Sequence, residues 1–189
     1  VDMMFNPKSN QVEYVLCPAQ VEDEIFENAK QIALNVTKAF KNIGLLAVEM
    51  FLTLDNKIIV NEVAPRPHNS AHYSIEACIS SQFDQHLRSI LNLPLGCSQS
   101  NRFAVMVNLV GELDHEGPVL YNGIEKAMQN NNACIHLYGK SITKPNRKMG
   151  HVTVLDTDLK NGLDIAKSIK KTIIIKSKWN GKNRNYHGK

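Results

Sequence analysis

Residues 45–64 can fold in few ways. Two apolar runs, LLAVEMFL (45–52) and KIIVNEVA (57–64), flank the polar break TLDN (53–56). Runs of that length around so short a gap specify a β-hairpin. With Asp55 and Asn56 as a two-residue turn, the alternation sets Glu49 directly across from Glu62. Directly opposed side chains leave a sheet on the same face with Cβ atoms about 5 Å apart, and like charges that close destabilise it unless something neutralises them. A divalent cation would do so, since magnesium takes one or two carboxylates and fills its shell with water and phosphate oxygens. The same alternation points Asn61 to the other face. Paired acids on an exposed sheet are also commonly solvated, so the hairpin alone does not decide.

The second strand runs straight into NEVAPRPHNSAHYS (61–74). Pro65 and Pro67 fix their own φ and restrict the residue before each, so Arg66 sits on preset backbone. Its planar fork suits a carboxylate, bicarbonate or phosphate and keeps its charge at any relevant pH. His68 and Asn69 add polar groups beside it. His72 and Tyr73 read equally well as packing residues, and His86, on a helix, reads as structural.

Around this centre the pattern alternates strand and helix. QVEYVLC (11–17) reads as a strand stopped by Pro18. Residues 21–42 carry Val21, Ile25, Ala29, Ile32, Ala33, Val36 and Phe40 at helical spacing, with acids at Glu22, Asp23 and Glu24, and Gly44 is the expected end. Ser81 with Asp84 predicts a cap for a helix carrying Phe83, Leu87 and Ile90, closed by Pro94 and Gly96. The Gly, Ser, Gln and Asn cluster at 96–102 is read as a domain boundary. Beyond it, 103–111, 134–139 and 150–155 are expected strands, with a short helix near 122–130 and an amphipathic one over 158–171.

Charge and cysteine bound the function. The net +4 is misleading, because residues 167–189 hold eight Lys or Arg and no acid, leaving 14 basic against 18 acidic residues elsewhere. That end is expected to be a solvated, disordered tail. The four cysteines, Cys17, Cys78, Cys97 and Cys134, form no C-x-x-C pair, which fits free thiols in a reducing cytoplasm. No apolar run approaches the roughly 18 residues of a membrane span. The chain opens on Val1 in mid-pattern and is read as a fragment.

AVEMFLTLDNKIIVNEVAPRPHNSAHYSIEACISSQFDQHLRSILNLPLG (47–96) resembles the 5-(carboxyamino)imidazole ribonucleotide synthase family (PurK type) of ATP-grasp ligases, and KPNRKMGHVTVLD (144–156) resembles that family's C-terminal segment. The likeness runs from about Val1 to Lys171. It implies an α+β fold: the C-terminal lobe of an ATP-grasp domain, an antiparallel sheet with packed helices, over 1–96. A small α+β C-terminal domain would follow over 97–175, then a basic tail over 176–189.

The implied reaction uses ATP to turn bicarbonate into carboxyphosphate, which carboxylates the amine of aminoimidazole ribonucleotide in de novo purine synthesis. The resemblance makes Glu49 and Glu62 ligands of magnesium or manganese and puts Asn61 and Glu62 at the ATP phosphates. Arg66, His68 and Asn69 would line the bicarbonate site, and Lys144, Arg147 and Lys148 the ribonucleotide phosphate site. It also implies a cytoplasmic homodimer engaging neither nucleic acid nor membrane. The family's N-terminal domain and ATP-clamping lobe are not in these residues, and no G-x-x-x-x-G-K loop occurs. MMFNPKSN (3–10) stands where many relatives place a histidine by the nucleotide. The chain by itself is therefore expected to turn over little ATP. One alternative is another ATP-grasp carboxylase or ligase, such as a formate-dependent glycinamide ribonucleotide transformylase, which should lack HNSAHYS and SQFDQHLR. The other is a non-catalytic nucleic-acid module using the basic tail, for which only Trp179 and Tyr186 offer stacking surfaces.

Overall fold

The computed structural model describes residues 1–100 and 102–178. The described residues divide into two compact units, one holding 18–100 with Val1, the other Asp2–Cys17 with 102–178. Every pairing between named strands is antiparallel, in the expected α+β class.

The first unit contains α1 (Asp23–Phe40), the hairpin β3 (Ala47–Leu52) and β4 (Ile58–Ala64), the short α2 (Ser74–Ala77), and α3 (Gln82–Ile90). A single turn of 3₁₀ helix, Asn69–Ala71, lies in the loop after β4. Asp23 and Glu24 sit in the first turn of α1, where the dipole favours acids. The helix ends before Gly44: Lys41 takes the left-handed conformation (φ 49°, ψ 37°) and donates its N–H to Lys38 O. Gly44 (φ 102°) belongs to the connection that follows. At α3 the expected cap forms, with Ser81 Oγ accepting from Asp84 N at 3.3 Å.

In the second unit a five-stranded sheet has the order β1 (Asp2–Asn6), β2 (Gln11–Cys17), β5 (Phe103–Val110), β9 (Lys148–Asp156), β7 (Ala133–Leu137). A smaller sheet joins β10 (Ile174–Ser177), β6 (Gly117–Asn122) and β8 (Ile142–Thr143), and α4 (Ile124–Ala127) and α5 (Leu159–Thr172) complete the unit. β5 and β9 are buried along nearly their whole length, so their continuous apolar runs are those of central strands. Val105, Val107, Val152 and Val154 pack with Ala166 and Ile169 of α5 and Ile175 of β10 in one core.

Two expectations differ from this arrangement. The expected domain over 1–96 holds residues 1–17 together with 18–96, whereas β2 hydrogen-bonds along β5, from Tyr14↔Val107 to Cys17↔Ala104, and groups with the second unit. The basic tail was expected from 176, but Lys176 and Ser177 pair with Leu120 and Val119 in β10. Alternating burial of Ile175 and Ser177 holds this strand in place. Residues 179–189, including Trp179 and Tyr186, lie outside the described residues.

Candidate functional site

Glu49 and Glu62 are Cα partners across β3 and β4, as the alternation required. The route there is different. Leu54, Asp55 and Asn56 form a three-residue loop closed by Thr53 N donating to Lys57 O (2.9 Å) and Asn56 N to Thr53 O (3.0 Å). Asn56 adopts φ 58°, a left-handed conformation that asparagine tolerates well. Near the turn the register is therefore Leu52↔Ile58 and Met50↔Val60. A β-bulge then inserts one extra residue opposite Glu49, restoring Glu49↔Glu62. The longer turn and the bulge cancel. The extra residue is Asn61, so strict alternation no longer assigns it to the face opposite Glu62.

His68 completes this corner. Its Nδ1 lies 3.6 Å from Glu49 Oε1 and 2.8 Å from Ser70 Oγ, with both His68 and Glu49 side chains mostly buried. Arg66 is exposed; its Nη1 donates to Pro67 O at 3.1 Å and its own N–H to Ala64 O at 2.9 Å. Asn69 opens the 3₁₀ turn, its carbonyl accepting from His72 N at 3.1 Å. Among the described residues no group of three or more His, Cys, Asp or Glu forms a metal cage. The hairpin sets two carboxylate residues, Glu49 and Glu62, as Cα partners, and hard oxygen donors of that type fit magnesium sharing its shell with phosphate oxygens.

The loop is held from α3. Gln82 Oε1 accepts from His68 N (2.8 Å), and Gln82 Nε2 donates to His68 O (2.9 Å) and meets His72 Nδ1 (2.8 Å). Gln82 N donates to Ser74 Oγ (2.9 Å), which donates to Ala71 O (2.6 Å). Sequence reasoning gave Gln82 no role of its own; it entered only as part of SQFDQHLR, just after the Ser81 cap. His86 is structural, as expected: its Nδ1 accepts from Leu45 N at 3.1 Å.

A second polar centre lies in the second unit. Lys144–Arg147 is a turn in which Pro145 presets φ, Asn146 adopts φ 59°, and Arg147 N donates to Lys144 O at 3.1 Å. Gly111 seats against it, exchanging backbone bonds with Asn146 (2.9 Å) and Arg147 (3.0 Å). A Cβ at Gly111 would lie 2.3 Å from Thr143 Oγ1 and 2.4 Å from Lys144 O, so only glycine permits this approach. Arg147 Nη1 donates to Ile142 O (2.8 Å), and Lys148 begins β9. Lys140, which sequence reasoning missed, donates to Lys148 O at 2.6 Å. Desolvation, followed by the charge of Arg147, lowers its pKa, as expected where cations crowd together. Lys144 is exposed at the head of the turn.

Comparison with known proteins matches both regions. Residues 4–83 match the ATP-grasp domain family, and residues 104–164 match the phosphoribosylaminoimidazole carboxylase C-terminal domain family. Over 158 residues the chain is 42% identical to phosphoribosylaminoimidazole carboxylase of Candida glabrata, covering 81% of this chain and 27% of that one. Over 143 residues it is 42% identical to N5-carboxyaminoimidazole ribonucleotide synthase of Bacillus subtilis, covering 74% and 35%. Among solved structures, N5-carboxyaminoimidazole ribonucleotide synthetase of Thermotoga maritima superposes with a TM-score of 0.84 at 46% identity, covering 87% of this chain and 46% of that one. The Aspergillus clavatus synthase in complex with ADP and 5-aminoimidazole ribonucleotide gives 0.79 at 34%, covering 89% and 45%. The chain spans about a third or less of the length of these curated relatives.

Proposed function

Because the chain belongs to the N5-carboxyaminoimidazole ribonucleotide synthase family of ATP-grasp proteins, we propose that it carries the metal-binding and carboxylating end of an ATP-dependent ligase. The substrates of that ligase are ATP, bicarbonate and 5-aminoimidazole ribonucleotide. A bicarbonate oxygen attacks the γ-phosphorus of ATP, ADP leaves, and carboxyphosphate forms. The exocyclic amine of the ribonucleotide then attacks the carboxyl carbon, phosphate leaves, and the nitrogen loses its proton.

The observation that carries this reading is the corner where Glu49 faces Glu62 in register and His68 reaches Glu49 from a proline-stiffened loop. Glu49 and Glu62 would hold magnesium, which when bound offsets charge on the ATP phosphates. Asn61, re-aimed by the bulge, serves the same phosphates. Arg66, on preset backbone, offers donors to the carboxyphosphate oxygens as charge develops there, and His68 and Asn69 bound the same place. In the second unit Arg147, Lys148 and Lys144, with Lys140 added, hold the ribonucleotide phosphate. A cytoplasmic homodimer remains the accompanying reading. Among the described residues no helix is long and apolar enough to cross a membrane.

The test uses the full-length protein containing this chain. ADP release should require both bicarbonate and 5-aminoimidazole ribonucleotide, with label from ¹³C-bicarbonate entering the product. Glu49→Gln and Glu62→Gln should each weaken manganese binding in the presence of ADP, read by electron paramagnetic resonance. ADP release driven instead by formate and glycinamide ribonucleotide would overturn the substrate assignment. Manganese affinity unchanged in both variants would overturn the metal assignment.

A further inference from the structure

We propose that Gln82 is the positioning residue of the carboxylating loop: one amide holds the His68 backbone at both its polar groups and fixes His72 as a neutral imidazole with its proton on Nε2. The proposal rests on the reading of residues 66–69 as the bicarbonate site, and deepens it.

The chemistry of the donors forces the arrangement. A backbone N–H can only donate, so the Gln82 atom 2.8 Å from His68 N must be the amide oxygen. A backbone carbonyl can only accept, so the atom 2.9 Å from His68 O must be the amide nitrogen. That nitrogen has a second proton, and His72 Nδ1 stands 2.8 Å away. An amide NH₂ cannot accept, so Nδ1 must be the bare nitrogen of the ring, and a neutral imidazole then carries its proton on Nε2. The ring plane is held as well, stacked on Phe83 with centroids 5.8 Å apart and 21° between planes. Gln82 is buried, and its N–H also fastens the loop through Ser74.

α3 contains a built-in control. Three residues on, Gln85 makes the same two-point clamp on Gly96, donating to its carbonyl (2.7 Å) and accepting from its N–H (3.0 Å). No histidine joins that clamp in these bonds. Gln85 ties down a connection; Gln82 ties down the loop and dictates a tautomer.

The experiment compares Gln82→Glu and Gln85→Glu in the full-length protein labelled with ¹⁵N-histidine. Long-range ¹H–¹⁵N correlation reports which ring nitrogen of His72 bears the proton. The wild-type protein should show Nδ1 bare. In Gln82→Glu the carboxylate still accepts from His68 N but turns lone pairs toward His68 O and His72 Nδ1, so Nδ1 should gain a proton. KM for bicarbonate should rise about 10- to 100-fold, the usual effect of removing a partner that orients a reacting group, with KM for ATP little changed. Gln85→Glu should leave both the His72 tautomer and the bicarbonate KM alone. A proton on Nδ1 in the wild-type protein overturns the proposal without any variant. So does an unchanged His72 in Gln82→Glu, or an equal bicarbonate defect in Gln85→Glu. A proton shift on His72 with bicarbonate dependence untouched upholds the clamp and overturns instead the assignment of residues 66–69 to bicarbonate.

Discussion

Within this chain, which spans about a third or less of the length of its curated relatives, the two units show different kinds of internal contact. In the second, Val105, Val107, Val152, Val154, Ile169 and Ile175 are at most 1% exposed and interlock in one core. In the first, no residue of α1 is buried, and Ala64 is the one buried apolar side chain among Pro18–Ser100. Large apolar groups there stand open, Ile43 at 77% and Phe40 at 63%. What fixes the first unit's loops is polar: the Gln82 and Gln85 clamps, Ser74, the Ser81 cap, and His86 on Leu45 N. Burial is non-directional and tolerates small displacements, whereas a two-point amide clamp sets both distance and orientation. A loop that must place His68 against a carboxylate is better served by the second kind of order, and a scaffold by the first.

The largest effect should come from breaking the core. In this chain Ile169→Ala should cost about 2–5 kcal/mol in urea unfolding followed by circular dichroism, the range for a truncated buried aliphatic. Ile43→Ala should stay within about 0.5 kcal/mol, as exposed sites do. Equal losses at the two positions would erase the contrast between the units.

This contrast explains what could be read from sequence. Core strands were legible because burial writes a pattern: QVEYVLC at 11–17 matches β2 residue for residue, 103–111 overshoots β5 by one residue, and 150–155 lies within β9. The Glu49↔Glu62 facing came out right because two departures cancel: the longer turn slips the register by one residue, which alone would set Asn61 opposite Glu49, and the bulge restores it. Nothing local marks a bulge at Asn61, since its cause is the pairing itself. β1, β6 and β10 were missed because they are short or half-exposed, so no clean alternation separates them from loop. Gln82 and Lys140 were missed for a different reason. Their importance lies in partners 14 and 8 residues away, His68 and Lys148, and polar side chains advertise no such pairing in their spacing.

Next in size is Arg66→Lys in the full-length protein. If the first unit's order is local and polar, this exposed side chain should matter to chemistry and not to folding. Losing its two-donor fork should lower turnover about 10²- to 10³-fold, as for one preorganised oxyanion donor, with Tm little moved. Near-normal turnover would remove Arg66 from the site, and a collapsed Tm would make it structural.

Smaller again, Gly111→Ala tests whether the second unit's turn is held by close approach. The new Cβ must displace either Thr143 Oγ1 or the Lys144 carbonyl. Moving that turn should raise KM for the ribonucleotide by roughly tenfold or more, about the value of one charge-assisted hydrogen bond, while KM for bicarbonate holds. An unchanged ribonucleotide KM would detach Lys144–Lys148 from the phosphate.

The smallest effect separates two carboxylates, one from each unit. Asp156 ends β9, two residues before the Asp158 cap of α5, its oxygens accepting from Asp158 N (3.0 Å) and Asn161 Nδ2 (2.8 Å). The backbone N–H of Asp158 is the main reason its pKa lies below the ordinary 3.8. Asp84 in the first unit is also lowered, first by the Ser80 hydroxyl and then by Arg88, 2.8 Å away. In both cases the folded pKa is depressed, so each acid's contribution to stability is fully present above the unfolded pKa and is lost as pH falls through the folded one. The stability gap between wild type and Asp156→Asn, or Asp84→Asn, should therefore be widest near neutral pH and close as the pH falls through each folded pKa, below the ordinary 3.8. Salt then tells the units apart. The Arg88 share of the Asp84 gap comes from an exposed ion pair and should shrink at 1 M salt, where the screening length is about 3 Å. The Asp156 gap comes from hydrogen bonds to neutral groups and should hold. Equal salt sensitivity in the two variants would mean that charge, not hydrogen-bond geometry, sets the start of α5.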